Sequence, residues 1–258
     1  MADTFTQYFE GLKDKKILVL GLGVSNRPLV RLLLQAGCQV IGCDRTPREK
    51  LEPEVLELEK RGCNLHLGET YLEGLSADVV FRTPGMHPGN PALEALRASG
   101  AEVTSEMGVF FQLCPCKIIA VTGSDGKTTT TTLISEMLKA QGYRVWLGGN
   151  IGTPLLSEIP HMTADDMAVV ELSSFQLMDM DRSPQVAVVT NLAPNHLDVH
   201  KDMQEYVEAK KNIFRYQDET GVLIVNGDNA ITAPFRGKGK TRFFTRQGDR
   251  KSTRLNSS

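Results

Sequence analysis

The chain has 258 residues, 41% hydrophobic and 23% charged, with a formal net charge of −2. This is the make-up of a globular protein with room for one large or two ordinary domains, and the charge gives no reason to expect nucleic acid or an anionic membrane as partner. Five cysteines (Cys38, Cys43, Cys63, Cys114, Cys116), odd in number and without a C-x-x-C pair, argue against a disulfide framework or zinc site and for reduced thiols in the cytoplasm. No signal-peptide core is visible, and no apolar run reaches membrane-spanning length.

Taken in order, Lys16–Leu20 is a short apolar strand, followed by the turn G-L-G-V-S-N (21–26) and an amphipathic helix through Gln35. A second strand, Gln39–Cys43, ends in Asp44. Helical sequence spans Arg48 to Lys60, and strands are expected at Asn64–Leu67 and Asp78–Phe81, the latter running into R-T-P-G-M-H-P-G (82–89). Such alternation implies right-handed βαβ units and a mostly parallel sheet. The segment C-P-C-K (114–117) interrupts it, and a second alternation offers strands at Ile118–Thr122, Arg144–Leu147, Asp166–Glu171, Val186–Thr190 and Val222–Val225. The expected organisation is a Rossmann-like α/β domain over 1–112, a P-loop ATPase-type α/β domain over 113–247 and a polar tail over 248–258. A sheet ending near Phe243–Phe244 would be incomplete, with an unpaired edge.

The stretch V-T-G-S-D-G-K-T-T (121–129) carries the strongest chemical signal. Gly123 and Gly126 let the backbone turn N–H groups, those of Ser124 and Asp125 among them, toward one anion. The helix beginning near Lys127 adds its positive end and free amides. Lys127 reaches outer phosphates, and the Thr128 hydroxyl, with Thr129 beside it, suits Mg²⁺. Val121 stands where the longer pattern has a glycine, so the loop is a shortened variant. In open parallel sheets ligands sit beyond the carboxyl ends of the strands. Glu171 ends one strand and is a candidate carboxylate for nucleotide-bound Mg²⁺. His196 lies just beyond another.

Further on, Met203, Tyr206, Val207, Ile213 and Phe214 form an apolar helical stripe with Lys210 near its middle. The spacing alone favours a snorkelling lysine, with its stem buried and its ammonium in water. A fully buried amine would instead lose its charge easily and become reactive. In the first half, Gly21, Gly23 and Asp44 partly match a dinucleotide fingerprint, but Asn26 replaces its third glycine.

Several strings together resemble the Mur ligase family of ATP-dependent amide-forming enzymes: G-S-D-G-K-T-T, G-G-N-I-G (148–152), E-L-S-S-F-Q-L (171–177), T-N-L-A-P-N-H-L-D-V-H (190–200) and Y-V-E-A-K (206–210). E-L-S-S-F-Q-L and G-L-G-V-S-N look most like its D-glutamate-adding branch. The resemblance implies phosphorylation of the carboxylate of UDP-N-acetylmuramoyl-L-alanine by Mg²⁺-ATP, then attack by the amine of D-glutamate on the acyl phosphate. By matching position, residues 123–129 hold ATP and Thr128 and Glu171 hold one Mg²⁺. His196 and a carbamylated Lys210 hold a second metal, and Asn150 contacts substrate. In the first domain Val24, Ser25, Asp44, Arg45 and Gly85 line the uridine diphosphate site. Composition and cysteine usage lead to the expectation of a cytoplasmic protein, here expected to be a monomer. The family's C-terminal domain has no counterpart in this sequence, so the chain is expected not to complete amide synthesis alone. The competing readings are a non-catalytic nucleotide-binding fragment, an NAD-dependent oxidoreductase and a folate-polyglutamylating relative. Asn26 and the lack of a hydride-transfer site oppose the second of these, and the full E-L-S-S-F-Q-L string opposes the third.

Overall fold

A computed structural model of the chain describes residues 4–193 and 200–246. It divides into two compact units, residues 1–114 with 153–162 and residues 115–152 with 163–258.

The first unit opens with α1 (Thr4–Glu10), β1 (Lys16–Leu20), α2 (Asn26–Gln35) and β2 (Gln39–Asp44). It continues with α3 (Pro53–Lys60), β3 (Asn64–Leu67), β4 (Val79–Arg82), α4 (Pro91–Ala98), β5 (Glu102–Thr104) and α5 (Glu106–Leu113). The strands pair in parallel in the order β3-β2-β1-β4-β5. Ile17 to Leu20 of β1 and Val79 to Arg82 of β4 are all buried, as strands covered on both faces must be. The helix expected over Arg48–Lys60 is instead a 3₁₀ turn, Arg48–Lys50, followed by α3. Proline is the cause: Pro53 suits a first helical position but holds Glu52 extended.

The second unit contains β6 (Lys117–Thr122), α6 (Lys127–Ala140), β7 (Val145–Gly149), β8 (Met167–Glu171) and α7 (Ser174–Leu177). Beyond these come β9 (Val186–Val189), α8 (Met203–Arg215), β10 (Val222–Asn226) and β11 (Lys240–Phe244). All pair in parallel, in the order β11-β10-β9-β6-β8-β7. Two strands unmarked in the sequence, β5 and β11, each lie at one edge of their sheet. Each is short or polar, and its pairing comes from the neighbouring strand rather than from its own pattern.

Two close approaches shape these units. Gly149 has φ +98°, and a Cβ there would collide with the Glu171 carbonyl; the approach lets the Asn150 N–H donate to that carbonyl at 2.8 Å. In the first unit the segment 153–162, which links β7 to β8, packs its 3₁₀ turn Leu156–His161 against α5 and α2. The Leu156 N–H donates to Glu106 Oε1 at 3.0 Å. Burial pushes the Glu106 carboxyl up to about 7, and that hydrogen bond only partly offsets it.

Two outcomes follow. Gly149→Ala combines a positive φ with a backbone collision, and is expected to destabilise the second unit by at least about 2 kcal/mol in urea unfolding. The folded Glu106 keeps a proton that the unfolded chain releases between about pH 4.5 and 7, so the first unit loses stability as pH rises through that window. Glu106→Gln keeps an acceptor for Leu156 and cannot ionise. It should flatten the urea midpoint across the window and gain on the order of 2 kcal/mol over the parent chain at pH 8.

Candidate active site

In the second unit the strand order reverses around β6, whose neighbours β8 and β9 belong to crossovers on opposite sides. The carboxyl ends of these three strands form the place where such sheets bind ligands. The loop 123–126 leaves β6 with Gly123 at φ +153° and Gly126 at φ +75°, the latter capping α6. A Cβ on Gly123 would collide with the Thr190 hydroxyl, so glycine is required where the loop crosses the end of β9.

That crossing braces the loop. The Ser124 N–H donates to the Asn191 carbonyl at 2.8 Å, and the Asp125 N–H to Asn191 Oδ1 at 2.9 Å. The Thr190 hydroxyl donates to the Asp125 carbonyl at 2.7 Å. The Ser124 hydroxyl donates to the Ala193 carbonyl and accepts from the Ala193 N–H, both at 3.0 Å, and lies 2.9 Å from the Tyr206 hydroxyl. Two amides read in the sequence as anion donors are thus committed to Asn191. The donors left for an anion are the first-turn amides of α6, at Lys127, Thr128 and Thr129, which a helix cannot satisfy internally. The Lys127 ammonium donates to the Ser124 carbonyl at 2.9 Å, over the same loop.

Glu171 is 1% exposed. The Thr128 hydroxyl donates to its Oε2 at 2.7 Å, and the Asn150 side-chain amide to its Oε1 at 2.8 Å. A hydroxyl and a carboxylate side by side at the mouth of a phosphate loop are the hard oxygen donors that Mg²⁺ prefers, so the residues present fit that ion. Asn150 is placed on the carboxylate, a contact the sequence did not suggest. Among the described residues no group of three His, Cys, Asp or Glu side chains gathers as a metal cluster. His196 lies outside the described residues.

Lys210 corrects the expectation of a snorkelling ammonium. It is 2% exposed, on the face of α8 that also buries Tyr206, Ala209 and Ile213. Its Nζ donates to Thr122 Oγ1 at 2.9 Å and to the Gly123 carbonyl at 3.1 Å, and sits 5.3 Å from the centre of the Tyr206 ring. The stem runs inward to the end of β6 rather than out along the helix surface, so the amine is held by protein acceptors. Burial brings the ammonium down to about 7; the Lys127 charge adds to the shift and the Glu171 charge opposes it. The sequence motifs thus bring Lys127, Thr128, Asn150, Glu171 and Lys210 together. Thr122 and Asn191 join them unannounced. Both stood inside strings quoted from the sequence, but neither carried a signal of its own contact.

The first unit has its own strand reversal, between β1 and β4. There Gly21, at φ +81°, packs so closely on Thr83 that a Cβ would meet its side chain at 2.9 Å. Asn26 is buried, and its amide donates to the carbonyls of Leu20 and Gly21 at 3.2 and 2.8 Å. It closes the turn from within, which is why a glycine is not needed there. Asp44 accepts from the N–H groups of Leu22 and Thr46 at 2.7 and 2.8 Å. Val24 is 69% exposed, Ser25 and Gly85 are exposed, and the exposed Arg45 lies 3.8 Å from Glu69. Arg82 was missed: fully buried, it donates to the carbonyls of Thr83, Pro84 and Met86 and shapes the 83–89 turn.

Comparison with known proteins adds to this geometry. Residues 121–253 match the model of the Mur ligase middle domain, and residues 15–105 that of the Mur ligase MurD-like N-terminal domain. A UDP-N-acetylmuramoylalanine–D-glutamate ligase of Clostridium botulinum (strain Hall) is 53% identical over 233 residues, 90% of this chain and 51% of the relative. The enzyme of that name from Clostridium kluyveri is 50% identical over 248 residues, 95% of this chain and 54% of its own. The chain therefore spans about half the length of the curated relatives it matches. Among solved structures, the UDP-N-acetylmuramate:L-alanyl-gamma-D-glutamyl-meso-diaminopimelate ligase from Neisseria meningitides aligns with a TM-score of 0.59 at 20% identity. That alignment covers 89% of this chain and 78% of the other, a likeness of fold. With one family model covering more than half of its length and a second matching most of the first unit, this chain belongs to the Mur ligase family.

Proposed function

We propose that this chain carries the UDP-precursor and ATP sites of a ligase that joins D-glutamate to UDP-N-acetylmuramoyl-L-alanine through an acyl phosphate. The observation that carries the reading is the convergence of the Lys127 loop, the Thr128–Glu171 pair and the buried Lys210 amine at the carboxyl ends of β6 and β8. The reaction class follows from the family, and the choice of D-glutamate from the names of the two clostridial relatives.

Each residue has a physical task in this scheme. Lys127 and the first-turn amides of α6 hold the outer phosphates of ATP. Thr128 and Glu171 would hold Mg²⁺, which when bound neutralises phosphate charge during transfer. Asn150 fixes the Glu171 carboxylate through Oε1, leaving the rest of its oxygen lone pairs to face the loop. Lys210, brought down to about 7 by burial, holds a substantial neutral fraction near neutral pH, as carbamylation by CO₂ requires. Together with His196 it would complete a second metal site. Val24, Ser25, Asp44, Arg45 and Gly85 would receive the uridine diphosphate end at the β1–β4 reversal, with Asp44 and Arg82 holding the turns in place. No residue here is assigned to the incoming D-glutamate. The cysteines are all free thiols, as in a cytoplasmic protein, and no described helix is long and apolar enough to cross a membrane. A monomer is the expected state.

Calorimetric titration tests this reading. UDP-N-acetylmuramoyl-L-alanine and Mg²⁺-ATP should each bind, and NAD⁺ should not; NAD⁺ binding without the UDP compound would overturn the assignment. Lys127→Ala should weaken Mg²⁺-ATP at least about tenfold, the worth of one charge-assisted phosphate contact, and leave the UDP compound unaffected.

A further inference from the structure

We propose that Thr122 is a positioning residue whose hydroxyl orients the Lys210 amine and ties it to the strand end that carries Glu171. The argument rests on where protons must go. Thr122 Oγ1 lies 2.6 Å from the Leu172 carbonyl and 2.9 Å from Lys210 Nζ. A carbonyl can only accept, so the single hydroxyl proton belongs to Leu172, and toward Lys210 the hydroxyl presents lone pairs alone.

The second partner of the amine, the Gly123 carbonyl at 3.1 Å, is likewise acceptor-only. A neutral Lys210 has two N–H bonds, and these two acceptors take both. Among the described residues, the nitrogen lone pair is then left without a hydrogen-bond partner. In the ammonium form the third N–H takes its place. Either way the orientation of the remaining Nζ direction is set by two fixed acceptors rather than by rotation of the long stem.

Thr122 also measures the position of its neighbours. Its hydroxyl grips Leu172, the residue after Glu171, while the Leu172 N–H donates to the Val121 carbonyl at 2.8 Å. The β6–β8 pairing that aligns Val121 with Glu171 therefore continues one residue past the strand, and the amine hangs from that extension. Lys210 and Glu171 come from α8 and β8, which have no covalent reason to keep a constant separation. The Thr122 hydroxyl supplies one. Serine would preserve this chemistry; valine, of nearly the same shape, would remove it.

The inference rests on Lys210 being the reactive amine of the proposed function, and the test separates the two. In the full chain with lysine side chains labelled with ¹⁵N and ¹³C, the Lys210 signal is assigned by its loss in Lys210→Arg. Hydrogen exchange at its Nζ is then compared for the parent chain, Thr122→Ser and Thr122→Val. Loss of a charge-assisted hydrogen bond predicts exchange at least about tenfold faster in Thr122→Val, with parental rates in Thr122→Ser. Mg²⁺-ATP affinity serves as the check that the loop stays assembled. Unchanged Lys210 exchange in a folded Thr122→Val protein overturns the proposal. If valine prevents folding, Thr122→Cys takes its place, because a thiol fills the space but accepts weakly. A ¹³C-bicarbonate experiment on the same samples reads the carbamate directly, formed as the lone pair bonds to CO₂ carbon, a C–O π pair moves to oxygen and one amine proton passes to water. Its absence from the parent chain would remove the reading of Lys210 while the exchange pattern still decided the role of Thr122.

Discussion

A carboxylate held almost wholly out of water has to be met by donors, and the second unit is arranged around meeting one. Glu171 receives the Thr128 hydroxyl from α6 and the Asn150 amide from the turn after β7, so its two oxygens join elements far apart in the chain. The geometry around it has little slack. Gly149 must lack a side chain for that turn to close on the Glu171 carbonyl, and the Leu172 N–H must reach back to Val121. An unpaired buried carboxylate would cost several kcal/mol, so these contacts are obligations of the fold as well as features of a site.

The loop 123–126 is held as closely through its backbone. Ser124 and Asp125 give their amides to Asn191, and the Thr190 hydroxyl takes the Asp125 carbonyl, so the loop is held in shape by protein groups. An anion at the first turn of α6, as the proposed function has it, would meet a loop already in place. Preorganisation of this kind spares the ordering cost that a flexible glycine loop would otherwise impose on binding. Tyr206 extends the brace to α8 through Ser124, and the helix that contributes Tyr206 also contributes Lys210 one turn later.

The first unit reaches a comparable end by other means. Asn26 closes the β1 turn with its own amide, Asp44 collects the Leu22 and Thr46 amides, and Arg82 gathers three carbonyls of the 83–89 turn. In both units polar side chains at strand ends are spent on holding loops, which leaves the outer faces of those loops for a ligand.

Much of this is legible in the sequence. The sequence pattern marked nine of the eleven described strands, the central ones as apolar runs because a strand buried on both faces must be apolar throughout, and the alternation with helices required parallel sheets. The loop 123–129, Glu171 and Lys210 stood out because phosphate and metal chemistry admits few residue types. Other features depended on contacts between distant residues, to which a linear pattern is blind. Spacing placed Lys210 on an apolar stripe, but only the packing of α8 on β6 made its amine buried and bonded to Thr122. Asn150 met Glu171, and Asn191 took two loop amides, for the same reason. The edge strands β5 and β11 carried no such mark, since β5 is only three residues long and β11 is largely polar, and each takes its conformation from the one neighbour it pairs with. Composition and local pattern settled the class of fold and the kind of chemistry; the direction of each proton and the partner of each buried charge were decided by the folded chain, because hydrogen bonds are directional and burial is a property of neighbours.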